Sequence, residues 1–132
     1  ARGMKWGRVA SADYFRDIND TVALLALVED IEGVENIESI AAAGLLDVLW
    51  VGTGDLAMAY GHPGERDHPE VKAAADRILT ACLEYNVAAG FPARSPEEAA
   101  WAVEQGYRAI GYAGAETYVM KQSRLFLDAV GR

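Results

Sequence analysis

The chain alternates short apolar runs with longer segments in which apolar residues recur every three or four positions. "TVALLALVED" is a continuous apolar run of strand length, the pattern of a strand buried on both faces. "GVENIESIAAAG" follows, with Val34, Ile37, Ile40 and Ala41 at helical spacing and Gly44 placed to end the helix. "DVLWV" predicts a second buried strand, and "GTGDLAMAYG" a turn that opens another helical segment. "HPGERDHPE" reads as a surface loop in which Asp67 or His68 caps a long helix beginning near Pro69 and running through "VKAAADRILTACLEY". "VAAGF" is the third strand. "SPEEAAWAVEQG" is a helix with Ser95 as N-cap, Pro96 next, Glu98 three residues after the cap and Gly106 at its end. "YRAIGYA" and "AETYVMKQSRLFLDAV" complete the pattern as a strand and a helix, and the polar start "ARGMKWGRVASADYFRDIND" reads as a loop with a short helix.

Strand–helix units repeated in this way predict an α/β fold with a parallel sheet and helices packed on it. The 132 residues suit one domain, 1–132, without a strict repeat or a low-complexity linker. Two architectures fit: a small open α/β sheet, or a (β/α)4 segment forming about half of a (β/α)8 TIM barrel, which takes about 250 residues when complete.

Composition narrows the function classes. The chain carries 20 acidic and 12 basic residues, a net charge of −8, and so lacks the basic stripe that nucleic-acid binding requires. An anionic membrane surface would repel it, and no apolar run approaches the roughly 20 residues that span a bilayer. The single Cys82 cannot form an intrachain disulfide, lies within the helical "ILTACLEY", and reads as a buried structural thiol. With no signal peptide visible at the start, the expectation is a cytoplasmic globular protein.

In parallel α/β folds, sites form where strands end and loops begin. Those ends are Glu29-Asp30, Gly52-Thr53-Gly54-Asp55, Phe91-Pro92-Ala93-Arg94 and Tyr112 to Glu116. Neighbouring parallel strands would hold Glu29 and Asp55 on one rim, where two carboxylates with open positions left over suit a hard divalent cation. Each acid can equally cap the helix that follows it. Two glycines around Thr53 make a tight turn that another molecule can approach closely, and its backbone N–H groups favour an anion. No Cys/His cluster suits a structural zinc. Trp50 reads as a core residue, Trp101 and Tyr107 as helix-to-sheet packing, and Glu97-Glu98 as first-turn acids favoured by the helix dipole.

The stretch "ALVEDIEGVENIESIAAAGLLDVLWVGTGDLAMAYGHPG" resembles the central signature of the HpcH/HpaI aldolase family, the metal-dependent class II pyruvate aldolases. That signature has a Glu at one strand's end, "GVxN(L/I)xxI" on the next helix, an Asp (here Asp47) entering the next strand, and a "GxxDL" turn at its end. Glu29 and Asp55 match the two acids, 26 positions apart (55 − 29). The resemblance continues through "GHPGERDHPEV", "AAGF" and "EQGYRAIGY", and covers nearly the whole chain from Arg2 onward. It implies the C-terminal half of a (β/α)8 barrel in which Glu29 and Asp55 bind Mg2+ or Mn2+, with Co2+ as a further option. Backbone amides of Gly52, Thr53 and Gly54 would hold the carboxylate of pyruvate. The implied reaction is reversible aldol cleavage of a 4-hydroxy-2-oxo acid to pyruvate and an aldehyde, through a stabilised enolate.

The family's substrate-binding Arg and its acid/base His would precede this chain, which leaves the catalytic residues unassigned. His62 and His68 then take turn and cap roles, and Arg94 is either a solvated loop residue or a contact to a substrate's distal carboxylate. Arg2, Trp6 and the "ARGMKWG" start resemble the loop before the Glu29 strand. A half-barrel exposes two sheet edges, so a homo-oligomer or association with the missing half-barrel is expected. Three alternatives remain: a citrate-lyase-β-like enzyme acting on an acyl-thioester, an oxaloacetate-decarboxylating or hydrolysing enzyme on the same platform, and a non-catalytic half-barrel that binds or assembles.

Overall fold

The computed structural model describes residues 8–132. Helix α1 (Ser11–Asp17) and a short 3-10 turn lead into β1 (Leu25–Val28). The chain continues through α2 (Ile31–Glu35), α3 (Ile37–Ala42), β2 (Val48–Val51), α4 (Thr53–Ala59) and α5 (Pro69–Glu84). It ends with β3 (Ala88–Ala93), α6 (Pro96–Gln105), β4 (Ala109–Tyr112) and α7 (Ala115–Ala129). The four strands form one parallel sheet in the order β1-β2-β3-β4. Parallel crossovers are right-handed, so an order without reversal puts every connecting helix on the same face. The α/β class with parallel strand–helix units is therefore as the sequence predicts.

The core lies between that face and α2–α6. Val28, Leu49, Val51, Ala89, Phe91 and Ala93 point into it from the strands and meet Val34, Ile37, Leu56, Val71, Ile78, Cys82 and Ala102. Among the described residues the opposite face carries no helix, and this changes the reading of β1. Its residues alternate: Val28 is 3% exposed, whereas Leu25 and Leu27 are 48% and 60% exposed. The apolar run was expected to be buried on both faces; period-two alternation sends every second residue to a side that nothing in the described chain covers. Trp50, expected in the core, lies on that open side. It lies across Gly90 on β3 and Gly111 on β4, where a Cβ on Gly111 would come within 2.8 Å of its ring.

Other boundaries shift for local reasons. The helix expected across residues 33–44 breaks at Asn36, whose side chain donates to the Glu32 carbonyl, giving α2 and α3. Strand β3 runs on through Pro92 and Ala93, beyond the "VAAGF" that the sequence predicts. Pro92 is tolerated there because β2 pairs with β3 only as far as Gly90, so no ladder bond is missing on that side. Asp47 accepts a hydrogen bond from the Leu24 amide at 2.7 Å and ties the entrances of β1 and β2 together. No helix among the described residues is long and apolar enough to cross a membrane.

Candidate active site

The C-terminal ends of β1 and β2 lie side by side, with Val28 opposite Val51, so that Glu29 and Gly52 are the next residues on each strand. The Gly52 amide donates to the Val28 carbonyl at 2.9 Å. A Cβ on Gly52 would come 2.7 Å from the Glu29 Cβ and 3.2 Å from the Val28 carbonyl oxygen, so only glycine lets the turn approach Glu29 this closely. Gly54 faces open space, with nothing within 4 Å of the place a Cβ would take. Helix α4 begins at Thr53, which makes Asp55 its third residue rather than its cap.

The acids at these strand ends divide into two kinds. Asp30 is a cap: its Oδ1 accepts from the Gly33 amide at 2.6 Å and starts α2. Glu29 and Asp55 are exposed, and among the described residues neither takes part in a side-chain hydrogen bond or an ion pair. The amide of Gly52 is engaged with Val28, whereas Thr53, Gly54 and Asp55 stand in the first turn of α4, where amides have no intrahelical acceptor.

Thr53 is buried, and its Oγ1 accepts from Arg66 Nε at 2.8 Å. The same guanidinium donates to the Pro92 carbonyl at 3.2 Å, so Arg66 bridges the α4 turn to β3. Sequence reading missed this residue, because a lone Arg in a charged loop gives no spacing signal. Arg94 is not a free loop cation. It donates to both oxygens of Asp67, at 2.9 and 3.0 Å, and to Glu98 at 2.7 Å. Glu98 and then Asp67 raise its pKa, and hydrogen bonding to Arg94 lowers that of both carboxylates. Glu98 also accepts from the Arg94 amide rather than closing a capping box on Ser95. Ser95 caps α6 alone, through the Glu98 amide.

Of the two candidate caps for α5, the structure selects His68, whose Nδ1 accepts from the Glu70 amide at 3.3 Å. Burial pushes the Cys82 thiol up to about 11 and the Tyr107 hydroxyl up to about 12, which suits packing roles. Tyr107 packs on Phe91 with ring centroids 4.9 Å apart, and Trp101 meets Phe91 edge-on at 5.6 Å. Arg2 and Trp6 lie outside the described residues.

The HpcH/HpaI aldolase/citrate lyase family model matches residues 7–119. A hydroxypyruvate/pyruvate aldolase from Paraburkholderia phytofirmans is 33% identical over 118 residues, 89% of this chain and 45% of that protein. A 2-dehydro-3,6-dideoxy-6-sulfogluconate aldolase from Pseudomonas putida is 29% identical over 89% of this chain and 46% of its own length. The crystal structure of an HpcH/HpaI aldolase/citrate lyase family protein from Burkholderia cenocepacia superposes with a TM-score of 0.83 at 36% identity, covering 91% of this chain and 47% of that one. The chain belongs to the HpcH/HpaI aldolase/citrate lyase family. It spans about half the length of the relatives it matches.

Proposed function

We propose that this chain forms the metal-binding half of a carbon–carbon lyase of the aldolase type, acting on 4-hydroxy-2-oxo acids to give pyruvate and an aldehyde. The observation that carries the reading is the pairing of two strand ends. Glu29 is packed against Gly52, and the turn that Gly52 opens bears Asp55; among the described residues neither acid has a side-chain partner. Asp30 beside them is accounted for as the α2 cap.

The donor set fits a hard divalent cation, Mg2+ or Mn2+, because two carboxylates leave positions open for substrate oxygens. Such an ion, when bound, supplies the Lewis acidity that stabilises an enolate. Glu29 and Asp55 hold it. The amides of Thr53 and Gly54 orient the pyruvate carboxylate; Gly52 contributes shape rather than a donor, since its amide is engaged. Arg66 keeps the Thr53 hydroxyl turned into the protein and thereby fixes the turn. The proton-transfer group and the substrate-binding Arg belong to the remaining half of a (β/α)8 barrel. An unreversed strand order and, among the described residues, two unpaired edge strands and an uncovered apolar face support association with such a half.

Substitution tests the ligand roles. Glu29→Gln and Asp55→Asn are each expected to abolish Mn2+ binding, followed by electron paramagnetic resonance, while the circular dichroism spectrum stays that of the parent. Mn2+ binding unchanged in either variant contradicts the assignment.

A further inference from the structure

A second group of ligand-type side chains lies in the loop between α4 and α5, apart from Glu29 and Asp55. His62-Pro63-Gly64-Glu65 is a turn closed by the Glu65 amide on the His62 carbonyl at 3.0 Å, with Gly64 at φ 85°. Glu65 to His68 is a second turn, closed by the His68 amide on the Glu65 carbonyl at 2.9 Å. Two back-to-back three-residue steps bring residues 62, 65 and 68 to one side, as in a 3-10 turn. Each of His62, Glu65 and His68 offers a donor atom, and these atoms lie within 4.8 Å of one another. The imidazoles stack with centroids 3.4 Å apart. The Glu70 carboxylate borders the group and pairs with His62: its Oε2 is 2.6 Å from His62 Nε2 and 3.6 Å from His68 Nδ1.

We propose that His62, Glu65 and His68 form a three-ligand binding site for a borderline transition-metal ion such as Zn2+. Two imidazole nitrogens and one carboxylate match the ligand types of a zinc site that keeps its fourth position open. A tetrahedral ion with bonds of about 2.1 Å separates its donors by roughly 3.4 Å, so one imidazole turns out of the stack to aim its lone pair at the ion, and His62 Nε2 exchanges its contact with Glu70 for the metal. His68 Nδ1 gives up only a 3.3 Å cap bond to reach the ion. The loop backbone is already closed by the two turns and anchored by the His62 amide on the Ala57 carbonyl, which lowers the ordering cost. The nitrogen donors set this site apart from the all-oxygen pair of Glu29 and Asp55, which favours a harder ion. The bound ion would also stiffen the loop that carries Arg66, and through it the turn at Thr53.

Zn2+ binding to this chain, measured by competition with a chromophoric chelator in excess Mg2+, tests the site. The expected result is one Zn2+ that persists in the Glu29→Gln/Asp55→Asn double variant. Affinity should fall at least about 100-fold in His62→Asn and in His68→Asn, beyond the roughly 10–100-fold loss that an outer-shell change gives. Asn at 68 retains a capping side chain, so α5 is preserved in that variant. With Co2+ as the probe, intense visible bands of a tetrahedral nitrogen–oxygen site should appear in the parent and vanish in both His variants. Absence of Zn2+ binding in the parent, parent-like affinity in both His variants, or loss of the ion in the Glu29→Gln/Asp55→Asn variant overturns the proposal.

Discussion

Leu27 and Val28 are neighbours on one strand and occupy opposite environments, 60% and 3% exposed. Val28 faces a helix layer that closes over it with residues from the helices α2 to α6, whereas Leu27 faces a side where the described chain supplies only Trp50 and other strand residues. The same apolar chemistry serves two purposes. On the helix side it holds this chain together. On the open side no element among the described residues covers it, and the chain spans about half the length of the relatives it matches.

The difference between the faces can be broken most strongly from the helix side. Leu49 is fully buried, so Leu49→Ala is expected to cost about 2–5 kcal/mol in denaturant unfolding. Leu27→Ala on the open face should stay within about 0.5 kcal/mol in the isolated chain. Equal losses would mean that the open face is covered in solution. A smaller contrast separates the two glycines of the α4 turn. Gly52→Ala forces a methyl against Glu29 and is expected to destabilise by about 1–3 kcal/mol and to weaken Mn2+ binding. Gly54→Ala meets open space within α4 and should be neutral or stabilising by up to about 1 kcal/mol.

Adjacent acids sharpen the comparison further. Asp30→Ala removes the α2 cap and is expected to cost about 1 kcal/mol without touching the proposed ligands. Glu29→Gln should do the reverse, leaving unfolding unchanged and removing the metal. The smallest effect concerns pH. Asp67 and Glu98 have lowered pKa values in the folded chain through Arg94, so their stabilising contribution is complete above the ordinary carboxylate range. It is lost as pH falls through the lowered folded values. Arg94→Gln should therefore flatten the decline in stability between about pH 5 and pH 2, read by thermal unfolding across that range.

Much of this was legible in the residues. Ser95, Pro96 and Gly106 marked α6, and Gly106 does close it with φ 108°. The helical spacing of Val34, Ile37 and Ala41 correctly named buried positions. Sequence pattern could not reveal that one face of the sheet stays open, because an apolar run looks the same whether its second face meets this chain or another. It singled out Glu29 and Asp55 but could not say which strand-end acids are caps, since a cap is defined by the backbone of the following turn and not by the acid itself. Arg66 and Arg94 were opaque for a similar reason: their partners Thr53, Asp67 and Pro92 come together only through the fold.

The central claim is that Glu29 and Asp55 together make a platform for a divalent ion and a pyruvate-like ligand. It is tested most directly by titrating this chain with Mn2+, with and without oxalate as a mimic of the pyruvate enolate. Mn2+ binding that tightens when oxalate is present is the expected result. Mn2+ binding that is absent, or that ignores oxalate, would contradict it.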